Sequence, residues 1–421
     1  MTRLHTLANG VRVVVDPMGG LESAALSVVV RGGARWEPED RNGWSHLLEH
    51  MVFKGAGARS ALEIVEAVEA EGGHLNAATG YERTSYQVRC LRGGLALGME
   101  IAADLVRNPT LDAEDLRREI AVIGQEIAEA ADTPDDRVFD LAQSEAFGDQ
   151  PLGRPILGSP ESIGAATVET LAAYHAGLYA PDRIVVSAAG AVDEDETLRL
   201  AEAAFGDARA SEQPMAPPSP AGFAGGDRAE ARRLEQAHLV VLVPGVGAAD
   251  PDYFAFRLFA EILGGGMSSR LFQELREERG LVYTVDAYAD TYEDTGVLGV
   301  YAGCAAEDAA EAARLTGVEL RRLAARVEPA ELARAKAQLK GQLAMSREAP
   351  LHRAEQAAGQ VLLFGRVLDP ADLAREVEAV TAEDLARIGA AAVGSGRAAV
   401  ATLGPKRAGA AAAFRKGLAG A

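Results

Sequence analysis

Two stretches of the chain match in sequence and in spacing, which favours a fold made of two similar units. Residues 167–172 read T-V-E-T-L-A and residues 381–386 read T-A-E-D-L-A. Each is followed by an arginine and a short strand-like run, at 183–190 and 397–404, with the same spacing and no insertion. Chance similarity in an alanine-rich chain is the alternative, but the shared register favours an internal duplication.

The length of the chain, 421 residues, also favours two domains. Single hydrophobic cores stop growing beyond roughly 250–300 residues. Residues 211–227, SEQPMAPPSPAGFAGGD, are rich in proline, glycine and alanine, show no periodicity and lie near the midpoint. We therefore predict an N-terminal domain at 1–210, a linker at 211–227 and a C-terminal domain at 228–421.

Hydrophobic patterns predict an α+β fold in each half. Strands are predicted where β-branched or alternating residues occur, at 11–15, 24–30 and 84–90. Ser60 and Glu63 have the spacing of a capping box, which predicts a helix start at Ser60. Other helices are predicted at 43–53, 95–106 and after Asp112. We expect two similar domains, each a mainly antiparallel sheet backed by helices.

The charge and cysteine content exclude several classes of protein. With 42 basic and 62 acidic residues the net charge is −20, which disfavours nonspecific binding to nucleic acid. An acidic cleft for basic substrates is one interpretation, and a solvated surface is the simpler one. Two cysteines are too few for a disulfide framework. No apolar run reaches the roughly 20 residues of a membrane span, so we expect a cytoplasmic protein without a membrane partner.

The segment H-L-L-E-H at 46–50 is the strongest chemical signal in the chain. On a helix, His46 and His50 lie one turn apart on one face and can both bind a zinc ion. Glu49 borders that face and could take a proton from metal-bound water. The alternative is a helix that carries two histidines by chance. Of the seven histidines, however, only this pair has ligand spacing, and it brackets a glutamate.

A catalytic zinc ion needs a third protein ligand and an open position for water. Glu119 and Glu126 are seven residues apart on a predicted helix, beside an isoleucine stripe that we expect to be buried. A carboxylate near a core is costly unless it is paired or ligated. The alternative is a pair of solvated acids at a helix edge, and spacing alone cannot select Glu126 among the 62 acidic residues.

The segment G-W-S-H-L-L-E-H-M-V-F-K-G at 43–55 resembles the zinc helix of the pitrilysin/insulinase family of peptidases, the inverzincins. The chain is particularly similar to bacterial relatives of the β subunit of the mitochondrial processing peptidase. The resemblance implies Glu126 as the third ligand, since 75 residues separate it from His50 in the family's spacing. It implies Glu119 as an acid that supports the ligands. The second half has no such motif, so we expect one zinc ion per chain.

Two further segments carry the resemblance. G-G-H-L-N-A-A-T at 72–79 looks like the family's edge strand, which implies that Asn76 and Ala77 offer backbone groups to an extended peptide. The segment 264–283 is similar to the family's Arg/Tyr element and carries Arg276 and Tyr283 at the matching separation. The resemblance places these two side chains opposite the zinc site in the other half of a clamshell. The residues alone would allow a solvated charge and a core aromatic.

Together these features predict a zinc-dependent endopeptidase that hydrolyses extended or unstructured peptides. Zinc would activate water, Glu49 would act as general base, and Tyr283 would stabilise the developing oxyanion. By resemblance we also expect a homodimer in which Arg276 and Tyr283 serve the partner's zinc ion. The alternative is a non-catalytic assembly subunit, or the partner subunit of a heterodimeric peptidase, which we expect to lack the zinc motif or the Arg/Tyr pair.

Overall fold

The computed structural model of the chain describes residues 2–210, 214–405 and 409–420. Its internal contacts divide the chain into two compact units. The first comprises Met1–Ile127, Pro155–Pro218 and Leu343–Asp369. The second comprises Ala128–Arg154, Ser219–Gln342 and Pro370–Ala421. Each unit contains one large β-sheet.

The regular elements of the described residues are as follows. The strands are β1 (Arg3–Thr6), β2 (Arg12–Pro17), β3 (Ser23–Arg31), β4 (Gly55–Ala56), β5 (Arg59–Ser60), β6 (His74–Thr79), β7 (Arg83–Leu91), β8 (Ile184–Gly190), β9 (Gly226–Ala231), β10 (Ala237–Gly245), β11 (Val282–Thr291), β12 (Gly296–Cys304) and β13 (Ala399–Gly404). The helices are α1 (Trp44–Val52), α2 (Ala61–Ala70), α3 (Leu95–Arg107), α4 (Ala113–Asp132), α5 (Pro134–Phe147), α6 (Pro160–Gly164), α7 (Val168–Leu178), α8 (Glu194–Phe205), α9 (Tyr253–Gly264), α10 (Ala309–Ala325), α11 (Pro329–Ser346), α12 (Pro350–Phe364), α13 (Pro370–Ala379), α14 (Ala382–Gly394) and α15 (Ala410–Ala419). No helix among these residues is long and apolar enough to cross a bilayer. The cytoplasmic location expected from composition stays a prediction.

The five strands of the second sheet match five of the six strands of the first: β9-β13-β10-β12-β11 corresponds to β2-β8-β3-β7-β6, and β1 has no counterpart. The first has the strand order β1-β2-β8-β3-β7-β6, and the second has the order β11-β12-β10-β13-β9. In each, one parallel pair stands among antiparallel pairs, namely β2 with β8 and β9 with β13. Strands β8 and β13 are the ones that follow the matched segments of the sequence. The two similar α+β units are therefore confirmed, and their common strand order supports a duplication.

The core of the first unit lies on both faces of its sheet. Strand β8 is buried at every position because helices cover both faces. On one face, Val186 belongs to a large apolar cluster that includes Leu47 and Leu48 of α1. On the other, Val185 packs with alanines of α12, including Ala358. A strand covered on both faces reads as a continuous apolar run, which is why the pattern at 183–190 does not alternate.

Two helices come from the half of the sequence opposite to the sheet that they cover. Helix α12 packs on β2, β3 and β8 of the first unit, whereas α5 packs on β9, β10 and β13 of the second. A bidentate ion pair between Arg353 and the buried Asp16, at 2.6 and 2.7 Å, holds α12 to β2. The units thus differ from the contiguous ranges 1–210 and 228–421, because periodicity identifies a helix but not the sheet it covers.

The predicted linker at 211–227 lies only partly within the described residues, since 211–213 fall outside them. Residues 214–225 form no helix or strand, and β9 begins at Gly226. The last two residues of the predicted linker therefore belong to the second sheet.

Candidate metal centre

The H-L-L-E-H segment lies on helix α1, one side of which packs on the core. Leu47, Leu48 and Met51 are fully buried and fix this helix against the core. His46 and His50 lie one turn apart on the opposite side, with their ring centroids 4.7 Å apart. Glu49 stands beside them, and all three side chains are partly exposed. The periodicity of the helix therefore separates a packing face from a chemical face, as the sequence predicts.

Glu126 of α4 completes a triangle of donor atoms with the two histidines. Its Oε2 lies 3.8 Å from His46 Nε2 and 3.6 Å from His50 Nε2. These separations exceed a hydrogen bond but suit atoms that share an ion, since tetrahedral zinc with bonds near 2.0–2.1 Å separates its ligands by about 3.4 Å. Among the described residues, these three form the one group of at least three His, Cys, Asp or Glu with such mutual proximity.

The protonation state of His46 also suits a metal ligand. Burial, together with neighbouring His50, lowers the pKa of His46 to about 4. The imidazole is therefore neutral near pH 7, and the neutral form is the one that binds metal. His46 Nδ1 is buried and makes no hydrogen bond to the described residues.

Glu119 contacts the other side of the His50 ring. Its Oε2 lies 3.0 Å from His50 Nδ1, and its Oε1 lies 2.8 Å from Lys54 Nζ. Because a carboxylate only accepts, His50 Nδ1 carries the hydrogen and Nε2 is left free on the side that faces Glu126. The two acids that the sequence could not tell apart thus occupy different places, Glu126 among the donor atoms and the buried Glu119 behind one of them.

Glu49 is held by the strand next to α1. Thr79 Oγ1 donates a hydrogen bond of 2.5 Å to Glu49 Oε2. Burial raises the pKa of Glu49, while the contact with Thr79 opposes that shift. Thr79 ends β6, the outermost strand of the first sheet, and Asn76 and Ala77 lie in the middle of the same strand. The structure therefore places the predicted base beside the predicted peptide-binding strand.

Sequence reasoning missed Lys54 and Glu37. Lys54 lies just after α1 and pairs with Glu119 on α4, a contact between elements that are far apart in the sequence. Glu37 is only 2% exposed and accepts hydrogen bonds from the backbone N–H groups of Gly43 and Ser45, each 2.7 Å long. It caps the start of α1 across a loop, and no local sequence pattern predicts that contact.

Arg276 and Tyr283 belong to the second unit and are not part of the triangle of donor atoms. Arg276 lies in a π-helical segment, Phe272–Glu278, with its guanidinium 4.9 Å from the centroid of the Phe272 ring. Tyr283 lies on β11 and is 64% exposed, so within the chain it is not a core aromatic. Their predicted roles opposite a zinc ion stay predictions.

Comparison with known proteins identifies the class to which this fold and site belong. The family model "Insulinase (Peptidase family M16)" matches residues 13–160, and the model "Peptidase M16 inactive domain" matches residues 165–339. An uncharacterized zinc protease of Rickettsia felis is 34% identical, over 91% of this chain and 92% of its own length. A protein of Streptomyces coelicolor with the same description is 35% identical, over 96% and 89%. The chain therefore belongs to the insulinase (M16) peptidase family, as its motifs predict.

Solved structures show the same fold. A protease from Helicobacter pylori superposes with a TM-score of 0.88 at 21% identity, over 96% of this chain and 99% of that one. A chain of complex III2 from Candida albicans superposes with a TM-score of 0.85 at 21% identity, over 99% of both chains. At these identities the likeness concerns the fold alone.

Proposed function

We propose that the protein is a zinc-dependent endopeptidase that cleaves extended or unstructured peptides. The observation that carries this proposal is the triangle of His46, His50 and Glu126 with the carboxylate of Glu49 beside it. Three protein ligands leave a tetrahedral ion one open position, which is typical of catalytic rather than structural zinc. The description of several relatives as zinc proteases also supports the proposal.

Each group of the site has a distinct task in this reaction. Zinc, when bound, supplies Lewis acidity for the scissile carbonyl and the attacking water. Glu49 accepts a proton from that water on its carboxylate and then delivers a proton to the nitrogen of the leaving amine. Glu119 keeps the hydrogen of His50 on Nδ1, so that Nε2 stays available as a ligand atom.

Strand β6 supplies a binding surface for the peptide. It is the outermost strand of its sheet, so an extended peptide can add to it by backbone hydrogen bonds along Asn76 and Ala77. Such bonds require an extended main chain but few particular side chains. This mode of binding supports cleavage of unfolded segments and sparing of folded proteins.

The alternative function is that of a non-catalytic subunit in an assembly or in a heterodimeric peptidase. The fold permits it, since a chain of complex III2 has the same fold. Function, however, is carried by sites rather than folds. A chain kept only for assembly has no need of three converging ligand atoms, a neutral ligand histidine and an adjacent carboxylate, so the site favours the enzyme.

The test combines metal analysis with cleavage of a quenched, unstructured peptide. Wild-type protein should contain about one zinc ion per chain and should lose cleavage when a chelator removes it. Glu49→Gln should retain the zinc but lose at least ~10²-fold in rate, the usual scale for loss of a general base. Glu69→Gln, at an exposed acid on α2, is the matched control and should leave both unchanged.

Two results would contradict the proposal. Zinc-loaded wild-type protein that cleaves no unstructured peptide would favour the non-catalytic alternative. Loss of zinc in Glu49→Gln would show that Glu49 is a ligand and that its role is wrongly assigned.

The proposal extends to the quaternary structure. By resemblance, Arg276 and Tyr283 act on the zinc site of a second copy of the chain in a homodimer. The exposure of Tyr283, at 64%, supports a role outside the core of its own unit.

A further inference from the structure

We propose that Thr79 is a positioning residue for the reaction, one that orients the carboxylate of Glu49 through its hydroxyl group. This inference rests on the proposed peptidase function, in which Glu49 is the base. It concerns a residue with no metal to bind and no charge to contribute. Its effect would be exerted through Glu49 alone.

The first support is the direct contact. The Thr79 hydroxyl donates a hydrogen bond of 2.5 Å to Glu49 Oε2. The terminal torsion of a glutamate is broad, so an unrestrained carboxylate samples many orientations. A carboxylate has about four acceptor sites, so the hydroxyl donor of Thr79 restrains it and still leaves capacity for a water molecule.

The second support is the way in which the hydroxyl is itself held. Thr79 pairs with Thr84 across the β6–β7 hairpin, and their hydroxyl oxygens are 3.4 Å apart. Behind Thr84 lies the side chain of Tyr179, whose hydroxyl is 2.7 Å from that of Tyr86. Thr84 and both tyrosines are buried. A chain of buried hydroxyl groups therefore supports Thr79 from behind, which limits its motion and that of Glu49.

The chemical consequence is specific to the base. A general base must reach the proton that it abstracts within hydrogen-bond distance, and small errors of placement lower the rate. Removing the Thr79 hydroxyl should therefore slow the chemical step without removing a metal ligand. The competing interpretation is structural: the Thr79–Thr84 pair only stabilises the hairpin, and its loss would lower stability or zinc content rather than kcat.

The test uses Thr79→Val, which keeps the shape of the side chain, and Thr79→Ser, which keeps the donor. We expect Thr79→Val to lower kcat by about tenfold or more, since misplacement of a catalytic group can cost up to about 10²-fold, with KM, zinc content and Tm unchanged. Thr79→Ser should stay within about threefold of wild type. Added to Glu49→Gln, Thr79→Val should have no further effect, because the group it positions is already gone.

Three outcomes would overturn the inference. The first is a wild-type kcat in Thr79→Val, and the second is an equal loss of kcat in Thr79→Val and Thr79→Ser. The third is that Thr79→Val lowers kcat as much in the Glu49→Gln variant as in wild type. If Thr79→Val fails to fold, Thr79→Ser is compared with Thr79→Ala, and equal kcat in these two also overturns it. If the proposed peptidase function itself is wrong, the wild-type protein will show no zinc-dependent cleavage, so this failure can be distinguished from failure of the inference.

Discussion

At the scale of single residues, the two histidines of the site are not equivalent. His50 donates from Nδ1 to Glu119, whereas His46 Nδ1 has no partner among the described residues. Partners of this kind fix the tautomer and the ring orientation of a ligand histidine. Loss of Glu119, which contacts His50 Nδ1, should therefore weaken metal binding less than loss of a ligand. This difference distinguishes the role of Glu119 from that of Glu126.

We predict that Glu126→Gln mainly weakens zinc binding, whereas Glu119→Gln mainly lowers activity. Glu126→Gln removes a donor atom from the triangle and should weaken zinc binding strongly. Glu119→Gln leaves the donor atoms in place and should lower activity more than zinc content, within the 10–100-fold range typical of groups behind ligands. Zinc content and competition with a chelator, measured beside peptide cleavage, give both quantities. The reverse order of effects would make Glu119 the ligand.

The sequence predicts the parts of the site that depend on local geometry. His46, Glu49 and His50 follow from the periodicity of one helix. Glu126 is far away in the chain, and spacing alone could not distinguish it from Glu119, so its selection rested on the family resemblance. Lys54 and Thr79 escaped prediction because their importance lies in contacts with groups on other elements, Glu119 on α4 and Glu49 on α1.

At the scale of elements, the start of α1 depends on a distant cap. Gly43 precedes the helix with φ +90°, and a Cβ there would lie 2.6 Å from the carbonyl oxygen of Leu157, so glycine is required. Gly43 has no side chain to cap the helix, and Glu37 accepts from its N–H and from that of Ser45 instead. The orientation of the helix that carries both histidines thus depends on one buried carboxylate.

Glu37 should make the stability of the protein depend on pH. Burial raises the pKa of Glu37 to about 7, against the opposing hydrogen bonds from Ser45, Gly43 and Asn42. The folded protein keeps this proton up to about pH 7, whereas the unfolded chain releases it near the ordinary glutamate pKa of 4.5. The stabilising contribution is therefore complete below pH 4.5 and is lost as the pH rises to 7, by up to about 3 kcal/mol.

Urea unfolding between pH 4.5 and 8 measures this contribution. Wild type and Glu37→Gln are compared after treatment with a chelator, so that metal binding does not add its own pH dependence. The decline in the free energy of unfolding should be smaller in Glu37→Gln. Glu39→Gln, at an exposed acid two residues away, should retain the wild-type decline. Equal slopes in wild type and Glu37→Gln would show that Glu37 does not titrate in this range.

Element boundaries were predictable where capping chemistry is local. The capping box of Ser60 and Glu63 is present at the start of α2, as predicted. The matched segments of the two halves also begin with capping boxes, at Thr167 and Thr381. The assignment of α5 and α12 to sheets was not predictable, because an apolar face does not specify the sheet on which it packs.

At the scale of the whole molecule, the two units share a fold, but among the described residues only the first carries the candidate metal site. Five strands have the same order in both sheets, with one parallel pair in each. The H-L-L-E-H segment occurs only in the first half of the sequence, and the family model that matches residues 165–339 describes an inactive domain. The described residues of the second unit contain no such group of ligand atoms, and Tyr283 is exposed there.

The final prediction is that two inactive variants restore each other's activity. Glu49→Gln and Tyr283→Phe are each purified as homodimers and then mixed under conditions that allow subunit exchange. If Tyr283 serves the partner's site, a mixed dimer has one site with both lesions and one with neither, so the mixture should recover about a quarter of wild-type activity.

The control is Glu49→Gln mixed with itself in two differently tagged forms, which should exchange subunits without recovering activity. If Tyr283 acts within its own chain, every site in every mixed dimer keeps one lesion and no activity returns. Absence of recovery despite demonstrated exchange would therefore reject the shared site. In that case each chain would form its active site from its own residues, with Glu49 and the three ligands.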